Sequence, residues 1–324
     1  MKRDFSLGIL SIVLCTLIFS TMEVMLKMPA VNGVFAPMQI TMERFLIGGV
    51  CLLPIALHTL KKKQVSLTGG DLRYLAFTGL LCVPLSMVIY QLAITFGTAS
   101  VVAVIFSGNP IFVTILAFFV LREAIRWNNI LALVLEVVGI LAIINPFARG
   151  TEISMLSVFF TILSALLFAL YGVMGKRMTR KCGGIVVTCF SFLFGSVELL
   201  CILLLGQIPA VAGLFHIMGL DIFCNIPLLT GINLHTLPYF LYICIINSAA
   251  GYVFHMLAME KTSANMTSLV FFFKPILAPI IAFWALHEAI TSNIIIGIVF
   301  FLLGSLSSII PNMVRAKRET LKTA

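Results

Sequence analysis

The sequence predicts an all-α membrane protein with ten transmembrane helices arranged as two inverted five-helix repeats. Three observations lead to this prediction: the composition, the distribution of positive charge and an internal repeat. The chain of 324 residues is 61% hydrophobic and 10% charged, with a mean hydropathy of +1.15, whereas soluble domains carry about 25% charged residues. Its apolar runs approach the roughly 20 residues that a helix needs to span a bilayer.

Ten apolar runs are candidate spans, and each predicts one helix. They lie at about residues 6–27, 37–57, 72–92, 98–121, 127–146, 153–175, 184–206, 237–259, 265–286 and 292–311. The first run is long and has no clear A-x-A cleavage site, so we interpret it as a span and not as a signal peptide. The segment 207–236 is unusually long for a connection. It has two interpretations, a lid at the outer membrane interface or a flexible decoration.

Positive charge distinguishes the two sides of the membrane. With the N-terminus placed in the cytoplasm, 17 of the 21 Lys and Arg residues fall in inside segments. Lys27 and Arg149 lie at outside edges, and Arg44 and Lys274 lie within spans. Cytoplasmic loops of membrane proteins are rich in Lys and Arg. We therefore expect a multi-pass protein of the plasma (inner) membrane with both termini in the cytoplasm, and the net charge of +9 requires no nucleic-acid partner.

An internal repeat relates the two halves of the chain. Residues 92–125 align with 257–290 at an offset of 165 without a gap, and 13 of 34 positions are identical. Residues 19–27 align with 168–176 at an offset of 149. Because five spans is an odd number, the second half is inverted, and inverted repeats are typical of transporters with a substrate site at the repeat interface. The predicted units are the first repeat (6–146), the second repeat (153–311) and a cytoplasmic tail (312–324).

The paired motifs resemble the drug/metabolite transporter superfamily, specifically EamA-type transporters. The motifs are Thr98-Ala99-Ser100 and Ser263-Ala264-Asn265, Pro110 and Pro275, and Leu121-Arg122-Glu123 and Leu286-His287-Glu288. The resemblance covers about 6–311 and implies ten helices, a central cavity between the halves and alternating access. Members of this family move amino acids, other metabolites or drugs, often outward. The chain departs from the pattern at Phe19, where many relatives place tryptophan, and at Lys274, which aligns with Asn109 of the first repeat.

Lys274 is the main candidate for substrate binding. A charge at the bilayer centre costs roughly 2.5–3.5 kcal/mol on insertion scales, so intramembrane charges mark functional sites. Pro275 frees a carbonyl near Phe271, and we predict helix breaks at Pro275 and at Pro110. An ammonium beside an open backbone suits a carboxylate or phosphate, and Phe271 supplies an aromatic wall. The alternative is a structural ion pair between Lys274 and a buried glutamate.

Other charged residues are candidates for coupling or gating. Glu23, late in the first span, is the candidate for proton coupling, because intramembrane acids serve as proton relays. Arg44, near the outer start of the second span, is a structural anchor or an outer gate. Glu123 and Glu288 are repeat partners at opposite membrane faces and are predicted to be symmetric gate or capping residues.

Polar side chains within spans complete the predicted substrate site. Tyr90, its repeat partner His255, Tyr171 and Asn109 are the candidates, although hydrogen bonding between helices explains such residues equally well. The eight cysteines form no C-x-x-C or zinc-type spacing, so we expect no metal site and no cofactor.

The predicted function is secondary transport of a small amino-acid-like or other anionic or zwitterionic solute. Export by alternating access through a central cavity is the favoured mode. The alternative is export of cationic or neutral drugs, coupled to protons through Glu23. An intramembrane enzyme or a scaffold is the competing class. The three aspartates of the chain, Asp4, Asp71 and Asp221, lie outside the predicted spans, which excludes an intramembrane enzyme with an aspartyl dyad.

Overall fold

The described part of the chain is helical and contains no strand. The computed structural model describes residues 2–121, 127–144, 153–262, 264–267, 270–304 and 306–307. Its long helices are α1 (Ser6–Lys27), α2 (Pro37–Lys63), α3 (Gly69–Phe96), α4 (Ala99–Leu121), α5 (Trp127–Ile144), α6 (Met155–Cys182), α7 (Gly184–Leu205), α8 (Leu237–Lys261), α9 (Val270–Leu286) and α10 (Ser292–Gly304). The prediction of an all-α fold is therefore confirmed.

Seven of the described helices are long and apolar enough to cross a membrane: α1 to α4 and α6 to α8. The apolar helices at 130–143, 273–286 and 292–304 are shorter. The predicted spans 127–146, 265–286 and 292–311 each extend into residues outside the described part, so the count of ten spans stays a prediction. Large apolar side chains such as Phe119, Trp127 and Trp284 are exposed on the outside of the bundle, as in a protein surrounded by lipid.

Side-chain caps fix where several helices begin. The Thr98 hydroxyl accepts from the Val101 amide at the start of α4, and Ser154 does the same for Ser157 at the start of α6. At the start of α3, the Thr68 amide and hydroxyl both donate to Asp71. The Lys181 ammonium, 2.5 Å from Asp71, and these two bonds lower the pKa of Asp71 to about 2. These caps satisfy amides that have no partner within their own helix.

Glycines bring helix backbones close together. A Cβ on Gly79 of α3 would lie 2.6 Å from the Ser191 carbonyl of α7, and one on Gly195 would lie 2.4 Å from the Gly79 carbonyl. Gly183, with φ +95°, forms the tight turn between α6 and α7. Such contacts are typical of membrane helices, which associate through close packing of small residues.

The helix ends meet at two faces of the bundle. At one face, Lys63 pairs with Glu260 at 3.3 Å and Lys181 pairs with Asp71. We call this end of the bundle the N-terminal face. At the opposite face the Phe35 ring stacks on Phe240 at a centroid distance of 5.5 Å. The expectation of charged loops at one end agrees with this arrangement, while which face is cytoplasmic stays a prediction.

The long connection 207–236 folds over the opposite face. It contains a short helix, Pro209–Ile217, and turns back so that the Asn225 amide donates to the Gly206 carbonyl at 3.2 Å. The Gln39 side chain of α2 donates to the Thr230 carbonyl at 2.8 Å and attaches the connection to the bundle. The segment is thus attached to the bundle, and its role as a lid or as a decoration stays a prediction.

Candidate functional site

A small chamber lies at the centre of the bundle, between α1, α3, α4, α6, α8 and α9. Its volume is about 10 Å³, enough for about one water molecule. Its lining combines aromatic rings, methionines and one cation: Phe19, Met22, Met87, Tyr90, Phe106, Phe168, Tyr252 and Lys274. The chamber is therefore closed in this structure, and a solute would fit only after the surrounding helices move apart.

Lys274 forms an ion pair with Glu23 across the chamber. The Lys274 Nζ lies 2.6 Å from Glu23 Oε1, and the two side chains are 2% and 0% exposed. The ammonium also lies 4.8 Å from the centroid of the Phe106 ring. Sequence reasoning singled out both residues but left the pair as an alternative to a free lysine. The structure brings them together, and each charge compensates the other where water is excluded.

The two predicted helix breaks have different outcomes. Before Pro110, α4 is interrupted at Ser107–Gly108, where the α-helix stops at Phe106 and resumes at Asn109. At Pro275 the prediction was wrong, because α9 continues from Val270 to Leu286 through this proline. A proline removes a single amide donor, and the remaining hydrogen bonds of α9 continue the helix on both sides.

The predicted aromatic candidates surround the ion pair. Phe271 is 1% exposed, and its ring centroid lies 6.0 Å from Phe106 and 6.2 Å from Phe168. Tyr90 packs edge-on against Phe106 at 4.9 Å, and the Lys274 ammonium lies 6.0 Å from the centroid of the Tyr90 ring. Tyr171, fully buried, lies behind this layer with its ring 6.0 Å from Phe168.

Two polar candidates make fewer contacts than their burial requires. His255 is 2% exposed, its ring lies 5.1 Å from Phe168, and its Nδ1 has no hydrogen-bond partner among the described residues. Asn109 donates to the Ala165 carbonyl of α6 at 2.7 Å, which ties α4 to α6. Its Oδ1 has no partner within the described part of the chain. Buried polar atoms normally find a partner, but the chamber lining includes neither residue, so their role in substrate binding stays a prediction.

Arg44 lies beside the chamber and is fully buried. Its guanidinium packs over the Phe45 ring at 4.6 Å and donates through Nη1 to the Met22 sulfur at 3.2 Å. Sequence reasoning placed Arg44 near the outer end of its helix, as an anchor or a gate. The structure places it deeper, next to residues that line the chamber.

Glu288 caps the start of α4 at the opposite face. Its carboxylate accepts from the Ala99 amide at 2.8 Å, from the Ser100 amide at 2.9 Å and from the Ser100 hydroxyl at 2.6 Å. Lys27 interacts electrostatically with the same carboxylate. A cavity of about 510 Å³ opens beside it, between the ends of α3, α6 and α10. Glu123, the repeat partner of Glu288, lies outside the described residues.

Residues at equivalent positions of the two repeats touch each other in the chamber. Phe19 and Phe168 (168 − 19 = 149) have ring centroids 6.4 Å apart. Phe106 and Phe271 (271 − 106 = 165) lie 6.0 Å apart. The Tyr252 hydroxyl donates to the sulfur of Met87 (252 − 87 = 165) at 2.8 Å.

These contacts locate the symmetry of the molecule. Positions related by an approximate two-fold rotation touch only where they adjoin its axis, so such an axis would pass through the chamber. The charged residues of the site do not obey this two-fold symmetry. Glu23 aligns with Gly172 and Lys274 aligns with Asn109, so the ion pair occupies one of two equivalent positions.

Sequence reasoning did not assign most of the apolar lining to the site: Phe19, Met22, Met87, Phe106 and Phe168. The internal repeat could have identified them, because Phe19 aligns with Phe168, Phe106 with Phe271 and Met87 with Tyr252. Within the described residues, no group of three His, Cys, Asp or Glu side chains is arranged to hold a metal ion.

Comparison with known proteins places the chain in a family. The model of the EamA-like transporter family matches residues 6–145 and 155–310. An uncharacterized transporter from Clostridium kluyveri is 36% identical over 303 residues, which cover 92% of each chain. The uncharacterized transporter YyaM of Bacillus subtilis is 24% identical and covers 85% of each chain.

A solved structure agrees at the level of the fold. A crystal structure with 14% sequence identity superposes with a TM-score of 0.65 and covers 96% of this chain and 97% of its own. The relatives and the family are transporters and not enzymes, and the described chain has several apolar helices long enough to span a membrane. The chain belongs to the EamA-like transporter family and is a multi-pass membrane transporter.

Proposed function

We propose that the protein exports a small amino-acid-like, or other anionic or zwitterionic, solute by alternating access through the central chamber. The observation that carries this proposal is the Lys274–Glu23 pair, at 2.6 Å in a closed aromatic chamber. A zwitterion presents an ammonium and an anionic group, and it can therefore replace both members of the pair. The rings of Phe106, Phe168 and Phe271 would hold the apolar part of the solute.

The proposed architecture is ten spans in two inverted repeats, with both termini in the cytoplasm of the cell. Contacts between repeat-equivalent residues in the chamber support it, because an approximate two-fold axis in the membrane plane relates inverted repeats. Alternating access then exchanges the conformations of the two halves and opens the chamber to each side in turn.

The two glutamates that follow α4 and α9 in the sequence fit the proposed gates. Glu288 joins the end of α9 to the start of α4 at the opposite face. In the repeat, Glu123 aligns with Glu288, Ala264 aligns with Ala99 and Lys176 aligns with Lys27. Lys176, Arg177 and Arg180 line a cavity of about 340 Å³ at the N-terminal face, next to Leu121.

Solute counterflow in proteoliposomes tests the proposal. Pooled labelled amino acids, sugar phosphates and nucleosides are screened with the wild type, with Lys274→Ala and with Lys63→Ala. Lys63 is a control lysine that pairs with Glu260 at the N-terminal face, far from the chamber. We expect Lys274→Ala to lower the flux of an anionic or zwitterionic solute by about tenfold or more, since a hydrogen bond to a charged group contributes about 1.5–3 kcal/mol.

The counterflow result is decisive in either direction. Lys63→Ala should keep the wild-type flux. Equal flux in Lys274→Ala and in the wild type, with both proteins folded, would reduce Lys274 to a structural partner of Glu23.

A second candidate function is proton-coupled export of cationic or neutral drugs. It is favoured by the burial of the Glu23 carboxylate, which is 0% exposed among aromatic rings. A drug cation would take the place of the Lys274 ammonium, and a proton would occupy Glu23 on the return. Here a pH gradient should drive the flux of a lipophilic cation, and Glu23→Gln should abolish that drive.

A further inference from the structure

Arg44 is a buried cation whose hydrogen-bonding capacity is largely unused. It is 0% exposed. A guanidinium carries five N–H donors, and the acceptor found here is the Met22 sulfur, a weak one, 3.2 Å from Nη1. Nε and Nη2 have no hydrogen-bond partner among the described residues. Leaving charged donors unsatisfied on a fully buried side chain is costly.

Arg44 has no carboxylate partner among the described residues. Glu23 pairs with Lys274. Glu43 is the adjacent residue on α2, but successive side chains on a helix do not face each other. Its Oε1 accepts from Gln39, one turn earlier, at 3.1 Å. No ion pair between described residues includes Arg44.

Arg44 is next to the chamber. Met22, whose sulfur accepts a hydrogen bond from Arg44, lines the chamber, and so does Tyr252. The Phe45 ring under the guanidinium packs edge-on against Tyr252 at 5.6 Å. A solute that separates Met22 from Tyr252 as the chamber opens would meet the free edge of the guanidinium.

The guanidinium edge of Arg44 fits a carboxylate. Glu23 and Lys274 offset each other's charge, and Arg44 forms no ion pair with a described residue. Nε and Nη2 lie on one edge of the guanidinium, and two parallel N–H groups match the two oxygens of a carboxylate.

We propose that Arg44 also binds the carboxylate of the transported solute, through Nε and Nη2. The inference rests on the proposed function and adds Arg44 to the anion site that includes Lys274. It also makes Arg44 a residue that selects carboxylates against their neutral analogues.

Thermal unfolding of the purified full-length protein tests this assignment with two small probes. Benzoate and benzamide have the same ring and nearly the same shape, and they differ in charge. At matched ionic strength, we expect benzoate to raise the Tm of the wild type and benzamide not to, because a ligand of the folded state stabilises it by mass action. Arg44→Gln should weaken benzoate binding by roughly tenfold or more.

Two further variants keep the test decisive. Arg44→Lys retains the positive charge but loses the two parallel N–H donors, so benzoate should raise its Tm less than that of the wild type. This variant replaces Arg44→Gln in the test if Arg44→Gln does not fold. Lys63→Ala, at the N-terminal face, should keep the benzoate shift. Equal shifts with benzoate and benzamide in the wild type, or a benzoate shift that Arg44→Gln leaves unchanged, would overturn the assignment.

The outcome is separable from that of the transport proposal. Benzoate binding that depends on Arg44, together with no flux of any solute in proteoliposomes, would uphold the anion site and reject the transport of anionic or zwitterionic solutes. Flux that Arg44→Gln leaves unchanged would uphold transport and reject the role of Arg44.

Discussion

At the scale of single residues, Glu23 and Lys274 depend on each other. Each is a charge in a chamber that holds about one water, so neither has solvent to stabilise it alone. The ammonium has the Phe106 ring at 4.8 Å as its other neighbour, a weaker electrostatic partner than a carboxylate. The pair therefore fixes α1 against α9 until a ligand or a proton replaces one of its members.

A double-mutant cycle measures this dependence. Glu23→Gln and Lys274→Gln alone should each destabilise the folded protein by about 3–5 kcal/mol, because each leaves one buried charge without its partner. The double variant should lose less than the sum of the two, since no unpaired charge remains. Thermal or denaturant unfolding in detergent gives the three values. Strict additivity would mean that the two side chains do not interact, in conflict with their 2.6 Å separation.

At the scale of elements, the helices beside the chamber are irregular where they approach it. A π-helical segment, Leu81–Met87, interrupts α3, and another, Tyr242–Ala250, interrupts α8. Met87 closes the first, and Tyr252 follows the second by two residues, so each irregular segment precedes a residue that lines the chamber. π-helical turns often occur at functional sites. We therefore expect α3 and α8 to bend at these two segments when the chamber opens.

The Glu288 carboxylate caps the first turn of α4. Glu288→Ala should remove three hydrogen bonds from the start of α4 and destabilise that end by about 0.5–2 kcal/mol, the usual range for a lost cap. Hydrogen exchange of the amides at 99–102 should become faster.

A matched control lies in the same cavity. Asn293 lines the cavity beside Glu288 and carries no charge, so Asn293→Ala should leave the exchange of the α4 amides unchanged. Equal acceleration in both variants would show that the cavity wall, and not the carboxylate, protects the start of α4.

At the scale of the whole molecule, the two faces carry different connections. The N-terminal face has short loops with basic residues, and the opposite face carries the folded segment 207–236. Ser66 is exposed in the loop between α2 and α3 at the first face, and Leu234, 91% exposed, lies in the segment at the second.

Cysteine labelling tests the proposed orientation. In intact cells, a membrane-impermeant maleimide should label Leu234→Cys, and it should label Ser66→Cys only after the cells are permeabilised, because basic loops stay in the cytoplasm. The wild type measures the background from the native cysteines, of which Cys51 and Cys201 are exposed. The reverse pattern would place the termini outside, and labelling of both from one side would contradict two opposite faces.

The sequence by itself determined the class of the protein. Apolar runs, the bias of basic residues and the repeat predicted an all-helical membrane transporter, and these depend on local composition and on aligned segments. The same reasoning selected Glu23, Lys274, Tyr90, His255 and Phe271, because polar or aromatic groups within a span are conspicuous.

Only the tertiary structure decided how these residues are combined. Glu23 and Lys274 are 251 positions apart (274 − 23), and nothing in either span specifies which carboxylate meets the lysine. Packing of α1 against α9 makes that choice, and packing around α2 leaves Arg44 without a carboxylate partner among the described residues. The continuity of α9 through Pro275 also depends on its context, since a proline costs one hydrogen bond that surrounding helices can compensate.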